Sequence, residues 1–420
     1  MFRPAPPICV TEREWINMKS SIASFINGME RLDFKVIASL VLLNLYGLIM
    51  IYSASAYGCS LSPEYNNDPT YLVKRQAVFV VVGFVAMFIA RSMNYNYLRK
   101  AAVQIYIIGI IFIFLLLTPL GVSSHNATRW LKAGPLTIQV AEIVKISMVI
   151  GIAAFITKYR ERMIYPILSV EVWFIALLPA VLVFGISDNL SSAIILMGIA
   201  FLITFVFSTQ WKLHVGMAAL LAAAVAAGRE ILRRTLPTAA ELNAKDFRFG
   251  RLYAWIAPER YEKQGHQPLQ GLYAVGNGGI FGKGLGRSIQ KLGKIPEAQN
   301  DMIFSVICEE LGLVGAVVLI ALFIYLIYHL IRIAVNSDNL FGKVLVAGIA
   351  FHIVLQALIN MGVVLTIIPN TGVSLPFISY GGSAVLFTMI EMGIALSVDR
   401  THMVREVKKK KYEMIMESRS

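Results

Sequence analysis

Ten apolar runs separated by shorter polar segments dominate the chain, at approximately 35–55, 76–92, 101–120, 140–157, 169–187, 191–209, 212–228, 304–332, 344–365 and 383–398. Most reach the ~20 residues that a helix needs to cross ~30 Å of hydrocarbon. The pattern predicts an all-α membrane protein with about ten transmembrane helices. Before the first run lies a polar leader, 1–32, in which Trp15, Met18, Ile22, Phe25, Met29 and Leu32 recur at three- and four-residue steps. That spacing puts one apolar stripe on a helix, so the leader is either an interfacial helix on the cytoplasmic face or unstructured. Ser53-Ala54-Ser55-Ala56 mimics a signal-peptide cleavage site, but leader and apolar run are both too long for one. The first span is therefore read as retained.

Two segments break the pattern. Residues 229–303 form a large loop between the seventh and eighth spans, and its aromatic and glycine content argues for order. Residues 366–383, TIIPNTGVSLPFISYGGS, are too polar and glycine-broken to span. A short stretch of this kind is expected to fold back as a re-entrant loop, which is tolerated only where it lines a cavity. The layout is then a leader (1–32), a ten-span domain (33–400) and a basic tail (401–420).

Charge sets the orientation. Arg91, Arg99 and Lys100, then Lys158, Arg160 and Arg162, then Lys212, Arg332 and Lys343, and finally Lys408 to Lys411 fall in alternate loops. Basic short loops stay in the cytoplasm, so both termini are expected inside and the 229–303 loop outside. Composition agrees: 57% of the 420 residues are hydrophobic and 15% charged, against about 25% charged in soluble domains. The net charge of +13 is accounted for by topology-setting loops and a tail facing anionic lipid, and no nucleic acid is implied. Three cysteines and six scattered histidines form neither a metal-ligand spacing nor a disulfide framework.

Three places carry candidate chemistry. GNGGIFGKGLG at 276–286 lacks the P-loop pattern, since Asn277 and Gly284 stand where glycine and a hydroxyl are needed. It is either a tight turn or a flexible loop bringing N–H groups and Lys283 to an anion. Pro296 suits the first turn of a helix, which would place Asp301 near the outer end of the eighth span and Glu297 one turn above it. An ionisable group at a membrane edge is a functional candidate; the alternative is a solvated carboxylate favoured by a helix N-terminus. Glu142 and Lys145 share a helix face at the start of the fourth span, preceded by Arg129, Trp130 and Lys132. They either neutralise one another or, with Arg129, meet a lipid-linked phosphate.

Arg129-Trp130 with GPLTIQVAEIVK, PEAQNDMIFSVICEELG at 296–312 and LPFISYGGS at 375–383 resemble the motifs of the SEDS family (shape, elongation, division and sporulation), and the likeness runs from YSAS at 52–55 to the last span. The resemblance implies a peptidoglycan glycosyltransferase in the bacterial cytoplasmic membrane. It would polymerise lipid II at the outer face, beside a class B penicillin-binding transpeptidase and other division or elongation proteins. The family's essential aspartate falls on Asp301, expected as general base. Glu142 and Lys145 match its glutamate and lysine. Substrate contacts are expected from these two, Arg129, Lys283, Glu297 and Asn189, and from Ser379, Tyr380 and Ser383. A divalent cation, Mg2+ or Mn2+, with Asp301 as ligand is the alternative role for that carboxylate.

The chain departs from the family in places: Val140 and Ala141 in QVAE, Asn189 where aspartate is common, and Gln299-Asn300 before Asp301. Asn370-Thr371-Gly372 and Cys308 look more like division- and sporulation-type members. Two other readings stay open, a lipid II flippase and a non-catalytic scaffold for the transpeptidase.

Overall fold

The computed structural model describes residues 32–124, 127–134, 136–237 and 247–417. The expected leader helix at 1–31 lies outside them. Helices α1 (Leu32–Leu61), α2 (Tyr71–Ser92), α3 (Ala102–Leu115), α4 (Val140–Lys158), α5 (Pro166–Ser187), α6 (Leu190–Phe207) and α7 (Trp211–Arg234) come first. After α8 (Phe247–Ile256) and α9 (Glu262–Gly278) come α10 (Ile303–Asn336), α11 (Leu340–Val364) and α12 (Gly382–Glu417). Ten of these occupy the ten predicted runs. Nine are long and apolar enough to cross a membrane among the described residues, and α3, with 14 residues, is shorter.

The third run stops early: α3 ends at Leu115, turns follow at 116–120, and strands begin at Gly121. Strands β1 (Gly121–Ser124), β2 (Ala127–Ala133) and β3 (Leu136–Gln139) form an antiparallel sheet in that order, with Trp130 opposite Gln139 and Val122 opposite Trp130. A run of threonine, tryptophan and other strand formers broken by Gly134 suits a hairpin. This small sheet hands the chain directly to α4.

Helix α11 is the hub. It packs on α4, α6, α10 and α12, while α2 lies along α12 and α1 along α10. Its Phe341, Val344, Leu345, Ile349 and Ile353 are buried. Helix α7 is the opposite case: His214 is its one buried residue among those described, and Leu220, Leu221 and Val225 are exposed. Such exposure costs nothing in hydrocarbon, which is as apolar as leucine.

The described segment just before α10 is tied down by two acidic side chains. Glu310, at the start of α10, accepts from Ser53 Oγ (2.7 Å), Lys291 Nζ (2.6 Å) and Gly286 N (3.0 Å). Glu309 takes Lys283 Nζ (3.2 Å), Gln290 N (3.2 Å) and the Ser288 hydroxyl. From the glycine-rich stretch, Lys283 Nζ and Gly286 N thus reach carboxylates of the protein itself. Gly282 (φ +76°) and Gly312 (φ +65°) let the two main chains cross; a Cβ on Gly282 would sit 2.2 Å from Glu310 O.

Residues 365–381 have no regular structure. Val373, Leu375, Phe377 and Ile378 are nonetheless buried, so the loop's polar main chain must find partners. It does: Leu375 N donates to Ser379 Oγ (2.7 Å), Tyr380 N to Gln299 O (2.9 Å) and Gly381 N to Gln76 Oε1 (3.2 Å).

Candidate functional site

Asp301 sits just before α10, on a series of turns. The helix expected from Pro296 onward does not form: Glu297 is left-handed (φ +48°) and α10 begins only at Ile303. Asn300 Nδ2 donates to Glu297 Oε2 (2.7 Å), and Asn300 N to Glu297 O (2.9 Å), closing a local turn in place of a helical one.

The Asp301 carboxylate faces loop residues drawn from distant parts of the chain. Gln267 Nε2 on α9 donates to its Oδ1 (3.4 Å), and Asn370 Nδ2 donates to Gln267 Oε1 (3.0 Å). Burial pushes the Asp301 carboxyl up to about 6, and the negative charge of Glu297 adds to this; its own main chain, Arg251 and Gln267 pull the other way. A carboxyl so placed is ionised near neutrality yet basic enough to take a proton.

Positive charge lies beside it. Arg251 on α8 is held below the usual arginine range, mostly by burial and also by Arg129, while Asp301 and Asp188 oppose the shift. Arg251 thus shares a neighbourhood with Asp301 and with Arg129. Arg129 Nη2 donates to Asp188 O (2.8 Å) and Nε to Ser187 O (3.3 Å), at the C-terminal end of α5, where helix carbonyls favour a cation. That leaves guanidinium N–H groups to spare.

Two cavities meet here. A smaller one of about 280 Å3 is lined by Arg251, His266, Gln267 and Asn370 among others. A larger one of about 1730 Å3 runs between α5, α6 and α7 and is walled mostly by apolar residues. Both share Trp255 and Ile368, and Trp255 Nε1 is fixed on Thr366 O (2.9 Å).

The other residues named from sequence are placed less uniformly. Glu142 and Lys145 are buried, 4% and 2% exposed, and bonded at 2.9 Å; Lys145 also donates to Gln356 Oε1 (2.8 Å). They are the mutual pair of the first reading, extended inward. Lys283 pairs with Glu309, and Asn189 caps α6 by accepting from Ser192 N (3.0 Å). Ser379 ties the loop turn, and Ser383 accepts from Gln139 N (3.4 Å) at the sheet edge. Burial pushes the Tyr380 phenol up, with Arg75 opposing. Arg251, Gln267, Asn360 and Asn370 were missed; all but Asn360 lie in loops or loop helices with no spacing to mark them. Among the described residues no three His, Cys, Asp or Glu side chains gather into a metal-holding group.

The family model described as Cell cycle protein, covering FtsW, RodA and SpoVE, matches residues 34–403. The probable peptidoglycan glycosyltransferase FtsW of Geobacter metallireducens is 33% identical over 376 residues, 89% of this chain and 96% of that one. Stage V sporulation protein E of Bacillus subtilis is 32% identical over 371 residues, covering 87% and 96%. A chain solved in work on structural coordination of polymerization and crosslinking by a peptidoglycan synthase complex superposes with a TM-score of 0.65 at 25% identity, covering 88% and 97%. Thermus thermophilus RodA gives 0.61 at 22% identity, over 87% and 96%. With the match spanning all ten apolar helices, this chain belongs to the FtsW/RodA/SpoVE family of multi-pass membrane proteins.

Proposed function

We propose that the chain is a peptidoglycan glycosyltransferase that polymerises lipid II, with Asp301 as general base. The observation that carries this reading is the shared wall at Trp255 and Ile368, where an apolar groove between helices adjoins the cavity lined by Arg251 and by Gln267, whose amide reaches Asp301. Such a shape fits an amphiphile with a polyprenyl tail, a pyrophosphate and a sugar. Relatives named as peptidoglycan glycosyltransferases support it.

The acceptor's 4-hydroxyl oxygen attacks C1 of the donor sugar as the bond from C1 to the pyrophosphate oxygen breaks. Displacement at an α-linked carbon gives a β-linked product. The hydroxyl proton passes to Asp301, and undecaprenyl pyrophosphate leaves. Arg251 and Arg129 stabilise its growing negative charge. In the alternative role of that carboxylate, Asp301 would hold a divalent cation, which would supply charge neutralisation to the leaving group. The site faces outward and both termini inward, following the loop charges. The partner is a class B penicillin-binding transpeptidase, as the peptidoglycan synthase complex suggests.

The test uses the purified complex, lipid II and gel separation of glycan by length. Wild type should make long glycan, and Asp301→Asn should fold, bind its partner and lose polymerisation ~10²-fold or more, the scale of an essential base. Rates within a few-fold of wild type would remove Asp301 from its role. Absence of glycan from an intact wild-type complex, with lipid II crossing vesicles, would replace the enzyme by a flippase; absence of both would leave a scaffold.

A further inference from the structure

Three polar side chains, His352, Gln356 and Asn360, follow at four-residue steps along α11 and so share one face. All are buried, at 1%, 3% and 1% exposure. Groups of this kind inside a membrane helix are costly unless satisfied. Gln356 Oε1 accepts from Lys145 Nζ (2.8 Å) and faces His352 Nε2 (2.8 Å). An amide oxygen only accepts, so Nε2 must carry hydrogen. On the far side of the ring, Nδ1 lies 2.7 Å from Glu391 Oε2 on α12. Whichever of those two atoms holds the shared proton, Nδ1 is engaged and the ring keeps Nε2–H toward Gln356. The amide is thereby oriented as well, with its NH2 donating to Ser374 O (3.1 Å).

We infer that the buried Glu391–His352 pair is a positioning device that sets the Gln356 amide and, through it, holds the Val373–Ser374 main chain against Asp301. The loop reaches Asp301 at two points. Asn360 Nδ2 donates to both Val373 O and Asp301 O (2.7 Å each), and a Cβ on Gly372 would lie 3.9 Å from Asp301 Oδ2. Without an acid or amide at 391, the His352 ring loses its anchor at Nδ1, and rotation of the ring withdraws Nε2–H from Gln356 Oε1. Turning the amide over would aim its NH2 at the Lys145 ammonium. Ser374 O loses its donor in the second case, and Gln356 is unsettled in the first.

The inference takes the role of Asp301 from the reading above, but hydrogen exchange of residues 369–381 reports on it without any reaction. The full chain in lipid nanodiscs is compared as wild type, Glu391→Gln, Glu391→Leu and Gln356→Glu. A glutamine at 391 donates to Nδ1 and preserves the tautomer, so loop exchange and kcat should stay within about two-fold of wild type. Glu391→Leu should speed exchange in 369–381 by about ten-fold and, with the partner present, lower kcat by about ten-fold or more with KM little changed. Gln356→Glu keeps the acceptor and removes the donor to Ser374, so it should loosen the same loop even if Glu391→Leu fails to fold. Exchange that rises evenly through all helices, or a glutamine at 391 as damaging as leucine, would overturn the assignment. So would an unchanged loop in Gln356→Glu. A loosened loop without any glycan synthesis in wild type would count against the glycosyltransferase reading alone.

Discussion

Asn360 donates to the main-chain oxygen of Asp301 over 2.7 Å from the same nitrogen that holds Val373 O. One amide in the hub helix thus joins the proposed base to the irregular loop. Asn360→Leu should leave two buried carbonyls unpaired at about 1–3 kcal/mol each. Thermal melts of the purified protein should show that loss, and polymerisation should fall further than the melt explains. Wild-type rates in a stably folded Asn360→Leu protein would show the tie to be dispensable.

A pH profile tests the electrostatics. Asp301 must be ionised to act, and its carboxyl is pushed up to about 6, so kcat/KM should fall about ten-fold per unit below that pH. Glu297 is one of the causes that raise it. Glu297→Gln should therefore move the acid limb to lower pH. A limb that moves upward or stays fixed would separate Glu297 from Asp301.

The Glu142–Lys145 pair is buried at both ends. Removing one partner strands a charge, at about 3–5 kcal/mol, so Glu142→Gln and Lys145→Met should each lower stability and activity. The double variant should recover most of the stability. If activity stays lost while the melt recovers, the pair has a role in the site beyond neutralising itself.

Much of this was legible beforehand, for physical reasons. Hydrocarbon demands long apolar runs, and these marked all ten helices, although α12 runs on to Glu417, well past its expected end at 398, and α3 stops at Leu115, short of 120. Asp301 stood out as a charge at a membrane edge. Its partners did not, because Gln267, Arg251 and Asn370 converge through folding of separate loops. Lys283 and Asn189 were plausible by motif, yet local demands claim both: an ion pair with Glu309 and a helix cap. The four-residue line of His352, Gln356 and Asn360 was visible in the sequence as polar groups on an apolar helix. Its meaning required the partners Glu391 and Ser374.

Topology is open to direct labelling. In a chain whose native cysteines are replaced, Lys294→Cys should react with an impermeant thiol reagent in intact cells, and Arg160→Cys only after lysis; both positions are exposed. The reverse pattern would place Asp301 on the cytoplasmic side and end the case for lipid II polymerisation outside.

The apolar groove gives the last prediction. Its wall on α7 includes Ala218, Ala222 and Val225, and across it stand Met197 and Phe201 on α6. Ala222 is exposed, so a larger side chain there meets no packed neighbour and should not disturb folding. Ala222→Trp would instead project into the space assigned to the polyprenyl tail. If the tail lies there, KM for a donor with a full-length chain should rise several-fold, because apolar contact of about 25 cal/mol per Å2 is lost over the blocked area. The same variant should handle a short-chain donor as wild type does, since the sugar and pyrophosphate contacts beside Asp301 are untouched. Competition kinetics with the two donors separates the effects within one preparation. Equal loss with both donors would mean that the tryptophan disturbs the site generally. Unchanged KM with both, in a protein whose melt is normal, would mean that the tail takes another route to Asp301.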